Sequence, residues 1–248
     1  MSILDETYRV AWGDLQYMKG NPIEVLLSSL IGPLLYLLAF GFGIGSTMGD
    51  RDEYIMYIVP GIIALTTLSA TFSSVSMKVL VQRLFYMSFD ELMLCPIHIS
   101  AIILGKTLQG VIRALISCTI LLFVGWAISP SVVISPWVFI AIILGSLMFS
   151  LLGLLAGILT NKTQNLSLFS SIVVIPMTFL CGTLFNVEVL PDVVAGAIYV
   201  LPLTHVSNLM RGIMLPDYSV GIDSIIIIMI YIAIMFAACY YLIKNNKC

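Results

Sequence analysis

Six stretches of this sequence are apolar for about twenty residues or more: Ile23–Ile44, Tyr54–Met77, Ile99–Ile128, Trp137–Leu159, Asn165–Leu184 and Ile222–Ile243. A bilayer core about 30 Å thick is crossed by roughly 20 residues of α-helix. Lipid offers backbone N–H and C=O groups no partners, so each stretch must satisfy them within its own helix. Composition removes the water-soluble alternative. Of 248 residues, 60% are hydrophobic and 10% charged, with a mean hydropathy of +1.09. A soluble domain carries about 25% charged residues to solvate its surface. The expected fold is therefore all-α and membrane-integral: residues 23–248 form a single six-helix domain, and residues 1–22 lie outside it.

Lysine and arginine placement orients the bundle. An even number of spans puts both termini on one side, together with Arg9, Lys19, Lys78, Arg83, Lys106, Lys162, Lys244 and Lys247. The opposite side keeps Arg51 and Arg211 among Asp50, Asp52, Glu53, Glu188, Asp192, Asp217 and Asp223. The positive-inside bias predicts both termini in the cytoplasm and a multi-pass protein of the cell membrane. The first 22 residues lack a signal peptide's basic start and apolar centre, so the first span is expected to be retained. The net charge of −2 argues against a nucleic-acid partner.

Before the first span, Leu4, Tyr8, Trp12, Leu15 and Met18 recur at helical spacing, with Asp5, Glu6, Arg9, Asp14 and Gln16 on other faces. This predicts an amphipathic helix, lying along the cytoplasmic interface or packed on a partner. Between Phe185 and Gly221 the apolar stretch Val193–Leu203 is too short to span and is broken by Pro191 and Pro202. Short helices entering and leaving on the outer side fit it. Pro176 is expected to kink the fifth span.

The loop from Lys78 to Lys106 carries the most specific local pattern. Ser88-Phe89-Asp90-Glu91 has the form of a capping box, which predicts a short helix ending near Leu94, before Pro96. Phe85, Phe89, Leu92 and Met93 share one face of it. A short helix with an apolar knob and acidic neighbours suits docking into a cytoplasmic partner. The same residues equally suit a loop helix packed on its own bundle.

Within the membrane, Arg113 follows Lys106 by seven residues and lies on nearly the same face. It either snorkels to the cytoplasmic headgroups or marks a pathway or gate. The second span carries Thr66, Thr67, Ser69, Thr71, Ser73, Ser74 and Ser76. Such residues permit close helix packing and equally line a cleft, with Thr67, Thr71 and Ser74 as pathway candidates. Gly153 and Gly157 form a GxxxG pair, expected to pack helices within the bundle. The five cysteines show no metal-ligand spacing, and neither His98 nor His205 has ligating neighbours nearby in sequence, so no metal site is expected.

Several motifs together resemble one family. Asp90-Glu91-Leu92-Met93-Leu94-Cys95-Pro96-Ile97, followed by Gly105-Lys106, is similar to the coupling-helix region of ABC exporter permeases. The class meant includes the daunorubicin-resistance, nodulation-factor and polysaccharide exporters. Cys181-Gly182-Thr183-Leu184-Phe185 with Leu190-Pro191 resembles that family's segment after the fifth span. Leu201-Pro202-Leu203-Thr204-His205 with Arg211 resembles its outer motif, so Phe185, Pro191, Pro202 and Arg211 are the outer candidates. The start of the chain, an interfacial helix before Pro33 and then Phe40-Gly41-Phe42-Gly43, is similar too.

The resemblance implies a permease homodimer seated on two copies of a separate ATPase, which binds ATP and Mg. Phe89, Asp90, Glu91, Leu92 and Met93 would form the ATPase contact. The cargo it implies is an amphipathic drug-like or lipid-like molecule, or alternatively a polysaccharide or lipid-linked glycan. This chain itself is expected to bind no cofactor and catalyse nothing. Ser100 to Thr107 mimics the end of a P-loop, but Ser100 replaces its first glycine and the interior is bulky. An intramembrane protease would need a histidine placed to activate Ser46, and no span holds one. Ion-coupled transport would call for several ionisable groups at mid-membrane, where only Arg113 is a candidate.

Overall fold

The computed structural model describes residues 2–44, 51–129, 134–181, 196, 198–215, 218 and 221–245. The described residues fold into helices, with no strand among them. In chain order they are α1 (Ile3–Gly20), α2 (Pro22–Leu38), α3 (Arg51–Leu84), α4 (Ser88–Leu94), α5 (Ile99–Ile128) and α6 (Pro136–Leu159). There follow α7 (Thr163–Phe169), α8 (Ile175–Leu180), α9 (Pro202–Met214) and α10 (Ile222–Asn245).

Among the described residues, six helical segments are long and apolar enough to cross a membrane: Pro22–Gly41, Tyr54–Leu84, Ile99–Ile128, Pro136–Leu159, Thr163–Leu180 and Ile222–Asn245. They match the six apolar stretches, with two physical differences. The second span continues past Met77 to Leu84, because α3 runs for 34 residues, roughly 50 Å at 1.5 Å per residue. Its surplus turns carry Lys78, Gln82 and Arg83 beyond the apolar zone. The fifth span is not one α-helix. A π-helical turn, Ser170–Val174, joins α7 to α8, and Pro176 falls in the first turn of α8. The wider turn accommodates the proline's missing N–H at the place where a kink is predicted.

Span 2 is the centre of the bundle, with its most apolar window 83% buried, whereas span 6 is 11% buried and faces outward. Glycines set the closest approach. A Cβ on Gly153 would stand 2.9 Å from the Phe72 carbonyl oxygen, and one on Gly157 2.8 Å from that of Ser76. The GxxxG pair thus packs α6 against α3 within the chain, as the sequence predicts. Arg83 closes the same contact: its Nη1 donates to the carbonyls of Gly157 (3.2 Å), Ile158 and Thr160 (3.4 Å), which end α6 without intrahelical partners.

The short helix α9 has 13 residues, about 20 Å, and so falls short of a span. It is buried among α3, α6 and α10. Val206 fills the space left by Gly145, and Pro202 opens its first turn, where a missing N–H costs nothing. Of the outer stretch before α9, Gly196, Ile198 and Tyr199 are helical, and residues 182–195 and 197 lie outside the described set.

Candidate functional site

One end of the bundle gathers the C-terminal ends of α3, α6 and α10, the start of α5, and both α1 and α4. The amphipathic α1 begins at Ser2, whose hydroxyl accepts from the Asp5 N–H, with Asp5 and Glu6 in its first turn. It packs along α5 and turns two carboxylates inward. Glu6 accepts from the His98 N–H (3.0 Å) and lies 2.9 Å from His98 Nδ1. The backbone donor first, then the ring, hold the Glu6 carboxyl below its usual range. Two turns on, Asp14 is buried and pairs with Lys78 Nζ at 3.0 Å and Lys106 Nζ at 3.1 Å. Gln82 Nε2 adds a bond of 3.3 Å. Glu6–His98 and Asp14–Lys106 are both separated by 92 residues, so α1 and α5 run parallel in register. Gly105 permits this approach, since a Cβ there would meet Val10 at 2.7 Å.

The outward face of α1 is apolar, with Leu4, Tyr8 and Trp12 exposed. The predicted stripe is therefore divided: Met18 packs inward with Val10 and Ala11, and Leu15 sits at the boundary. Acidic residues occupy the inner face because it meets lysines and a helix N-terminus.

Beside α1 lies a partly open cavity of about 700 Å³ between α2, α3 and α5. Ser28, Ser29, Ser69, Ser73, Ser74, Lys78, Gln109 and Arg113 supply its polar lining, and Tyr86 and Ser88 form its rim at the α3–α4 turn. Arg113 crosses to α2: Nε donates to Ser29 Oγ at 2.6 Å, and Nη2 donates to Ser28 Oγ at 2.6 Å and to the Val25 carbonyl at 3.4 Å. Farther along α2 and α3, a second cavity of about 160 Å³ is lined by Tyr36, Leu65 and, from α8, Thr178 and Phe179, and shares Gly32, Pro33 and Ser69 with the first.

The helix α4 hangs from this end. Met87, in the left-handed region at φ 53°, reverses the chain after α3, and its carbonyl accepts from the N–H groups of Asp90 (3.1 Å) and Glu91 (3.2 Å). Ser88 is consequently inside the first turn, and the expected capping box does not form: the reversal needs its left-handed residue one position earlier. The helix ends at Leu94, ahead of Pro96, as predicted. Phe89 is buried against Val75, Val79, Ile102, Ile158 and Ile243, with Leu92 and Met93 partly buried beside it. Asp90 is half-buried and Glu91 exposed, while Phe85, Tyr86, Met87 and Leu94 present apolar surface outward. A groove of about 670 Å³ runs along α4 past Arg83, Asp90, Met93, Asn161 and Leu242.

The family model of the ABC-2 type transporter matches residues 5–215. The chain belongs to the ABC-2 type transporter family. Among curated proteins, the ABC-2 chain is 26% identical over 230 residues to the inner membrane transport permease YadH of Escherichia coli (strain K12), covering 91% of this chain and 89% of that protein. It is 27% identical over 204 residues to nodulation protein J of Sinorhizobium fredii, covering 79% and 76%. For nodulation protein J of Bradyrhizobium diazoefficiens the figures are 28% over 207 residues, 77% and 76%. With its six apolar spans, this ABC-2 permease is a multi-pass membrane protein.

Within the ABC-2 chain, Arg113 and Ser74 line the larger cavity. Thr67 and Thr71 do not: both are buried, and their hydroxyls return to the Ala64 and Thr67 carbonyls at 2.6 Å. Arg211 is buried with its guanidinium 4.1 Å from the Tyr57 ring centroid, and Pro202 is buried too. Phe185 and Pro191 lie outside the described residues. His205 donates from Nε2 to the Tyr199 carbonyl at 2.8 Å, and no group that could hold a metal ion occurs among the described residues. The contacts of Glu6, Asp14 and Gln82 are absent from the sequence reading, and α1's acidic inner face is the signal that could have suggested them.

Proposed function

We propose that this chain is the permease subunit of an ATP-binding-cassette exporter, driven by a separate ATPase and moving an amphipathic molecule out across the membrane. The end bearing α1 and α4 faces the cytoplasm, in line with its Lys78, Arg83, Lys106, Lys162 and Lys244. Two copies pair around the translocation path, each seated on one ATPase subunit that holds ATP and Mg. One observation carries this reading: the turn into α4 is also the rim of the polar cavity, through Tyr86 and Ser88. A push on α4 therefore reaches the cavity through α3 and α5, to which α4 is joined at both ends.

Each part of α4 has its own task in this proposal. Phe89, Leu92 and Met93 seat the helix on the bundle, while Glu91, with Asp90 beside it and Leu94 at its end, meets the ATPase. The outward apolar face of α1 rests at the membrane surface, and α9 closes the outer side.

Co-purification with the ATPase tests the coupling contact. Glu91→Lys combined with Leu94→Asp is expected to reduce the ATPase recovered with the chain by about tenfold, a loss near 1.4 kcal/mol, with the chain's own melting temperature unchanged. Phe89→Ala is expected to lower both recovery and melting temperature. Full recovery with the Glu91/Leu94 variant would place the contact elsewhere.

A further inference from the structure

We infer that the cavity between α2, α3 and α5 recognises an amphiphile with an acidic head, a phosphate, sulfate or carboxylate, and that Arg113 is its anion-binding residue. This rests on the export reading above and specifies the chemistry of its cargo. The guanidinium is already oriented: Ser28, Ser29 and the Val25 carbonyl take Nε and Nη2, and Nη1 donates to none of the described residues. Nor is any carboxylate among them within ion-pair distance of Arg113. Asp14 is taken up by Lys78 and Lys106, and Glu24 forms no ion pair with Arg113.

Lys78 and Lys106 thus share one buried carboxylate, and the charged side chains that line the cavity are both cations, Lys78 and Arg113. In a partly desolvated site this surplus attracts an anion, and a planar guanidinium matches its oxygens two at a time. Ser73, which lines the cavity from α3, has a hydroxyl that donates to none of the described residues and is free for a further oxygen. The second cavity lies about two helical turns deeper on α3 and is walled by Tyr36, Leu65 and Phe179. An acidic head at Arg113 thus places an apolar tail there. A neutral sugar or a cationic drug would leave the surplus charge uncompensated.

The test is equilibrium binding to the full chain in phosphatidylcholine nanodiscs, corrected for empty discs, with radiolabelled dodecyl phosphate and uncharged dodecyl maltoside as probes. Dodecyl phosphate is expected to half-saturate at about tenfold lower concentration, the order of one charge-assisted contact. Arg113→Gln removes that gap and leaves dodecyl maltoside binding as it was. Arg113→Lys, which keeps the charge without the fork, retains part of the gap and carries the test if the glutamine variant does not assemble. Inorganic phosphate alone does not displace the probe, because it has no tail.

An equal affinity for both probes, or a preference that survives in Arg113→Gln, would overturn the assignment and leave the export reading standing. Loss of dodecyl phosphate binding in phosphatidylglycerol discs would assign the site to a resident lipid and so overturn the cargo claim. Binding of neither probe would remove the amphiphile-export reading as well.

Discussion

Replacing Asp14 by alanine is expected to destabilise the folded chain by about 3–5 kcal/mol, the usual cost of leaving a buried charge without its counter-ion. Two cations depend on this carboxylate. Lys106 is 3% exposed and cannot reach water without leaving its helix contact, and Lys78 is pinned between Asp14 and the Tyr17 ring. Removing the carboxylate therefore strands ammonium groups on α3 and α5 at once and releases α1 from both. Thermal unfolding in detergent, followed by loss of the monodisperse peak, reads the effect. The double variant Asp14→Ala/Lys106→Met is expected to recover part of the loss, since one stranded charge has been replaced by an apolar chain of similar length. A single variant melting with the wild type would show that α1 is not held by these pairs.

Gly157→Leu is expected to disrupt the bundle where α6 packs closely on the α3 backbone, costing about 3 kcal/mol or more through overpacking. The atoms its Cβ would meet are the Ser76 carbonyl oxygen at 2.8 Å and the Val79 Cβ at 3.0 Å. Neither is the end of a flexible side chain. Relief requires α3 and α6 to move apart, which also opens the cap that Arg83 places on α6. Gly153→Leu meets the Phe72 backbone and is expected to behave alike. Gly13→Ala is the control, with open space around its Cβ, and is expected to leave melting unchanged or slightly raised, because alanine favours the helix. If Gly157→Leu melts with the wild type, the close packing of α3 on α6 is wrong.

The spans were legible because lipid imposes a rule that holds for each segment alone: enough apolar residues in sequence to cross the core, with backbone groups satisfied inside the helix. The stop before Pro96 and the internal use of Gly153 and Gly157 follow from equally local rules. What escaped the sequence are contacts between distant segments. Spacing places Asp14 and Glu6 on faces of α1, but nothing in it names Lys78, Lys106 or His98 as the groups those faces meet. Phe89 shows the same limit: an apolar residue on a short helix has one pattern whether it docks outward or seats the helix on its own bundle. Arg113 was readable as an out-of-place charge, whereas Ser28 and Ser29, which hold it, sit 85 and 84 residues earlier and look like ordinary span residues. Capping at Met87 depends on a left-handed turn that an intact Ser-x-x-Glu pattern conceals.

Uptake into inside-out membrane vesicles tests most directly whether this chain carries cargo on energy supplied from outside itself. Vesicles holding the chain together with its ATPase are expected to accumulate labelled amphiphile only when ATP is present, and vesicles with either protein alone are expected to accumulate none. Accumulation by vesicles holding this chain alone, or undiminished uptake when the ATPase is inactivated, would contradict the account.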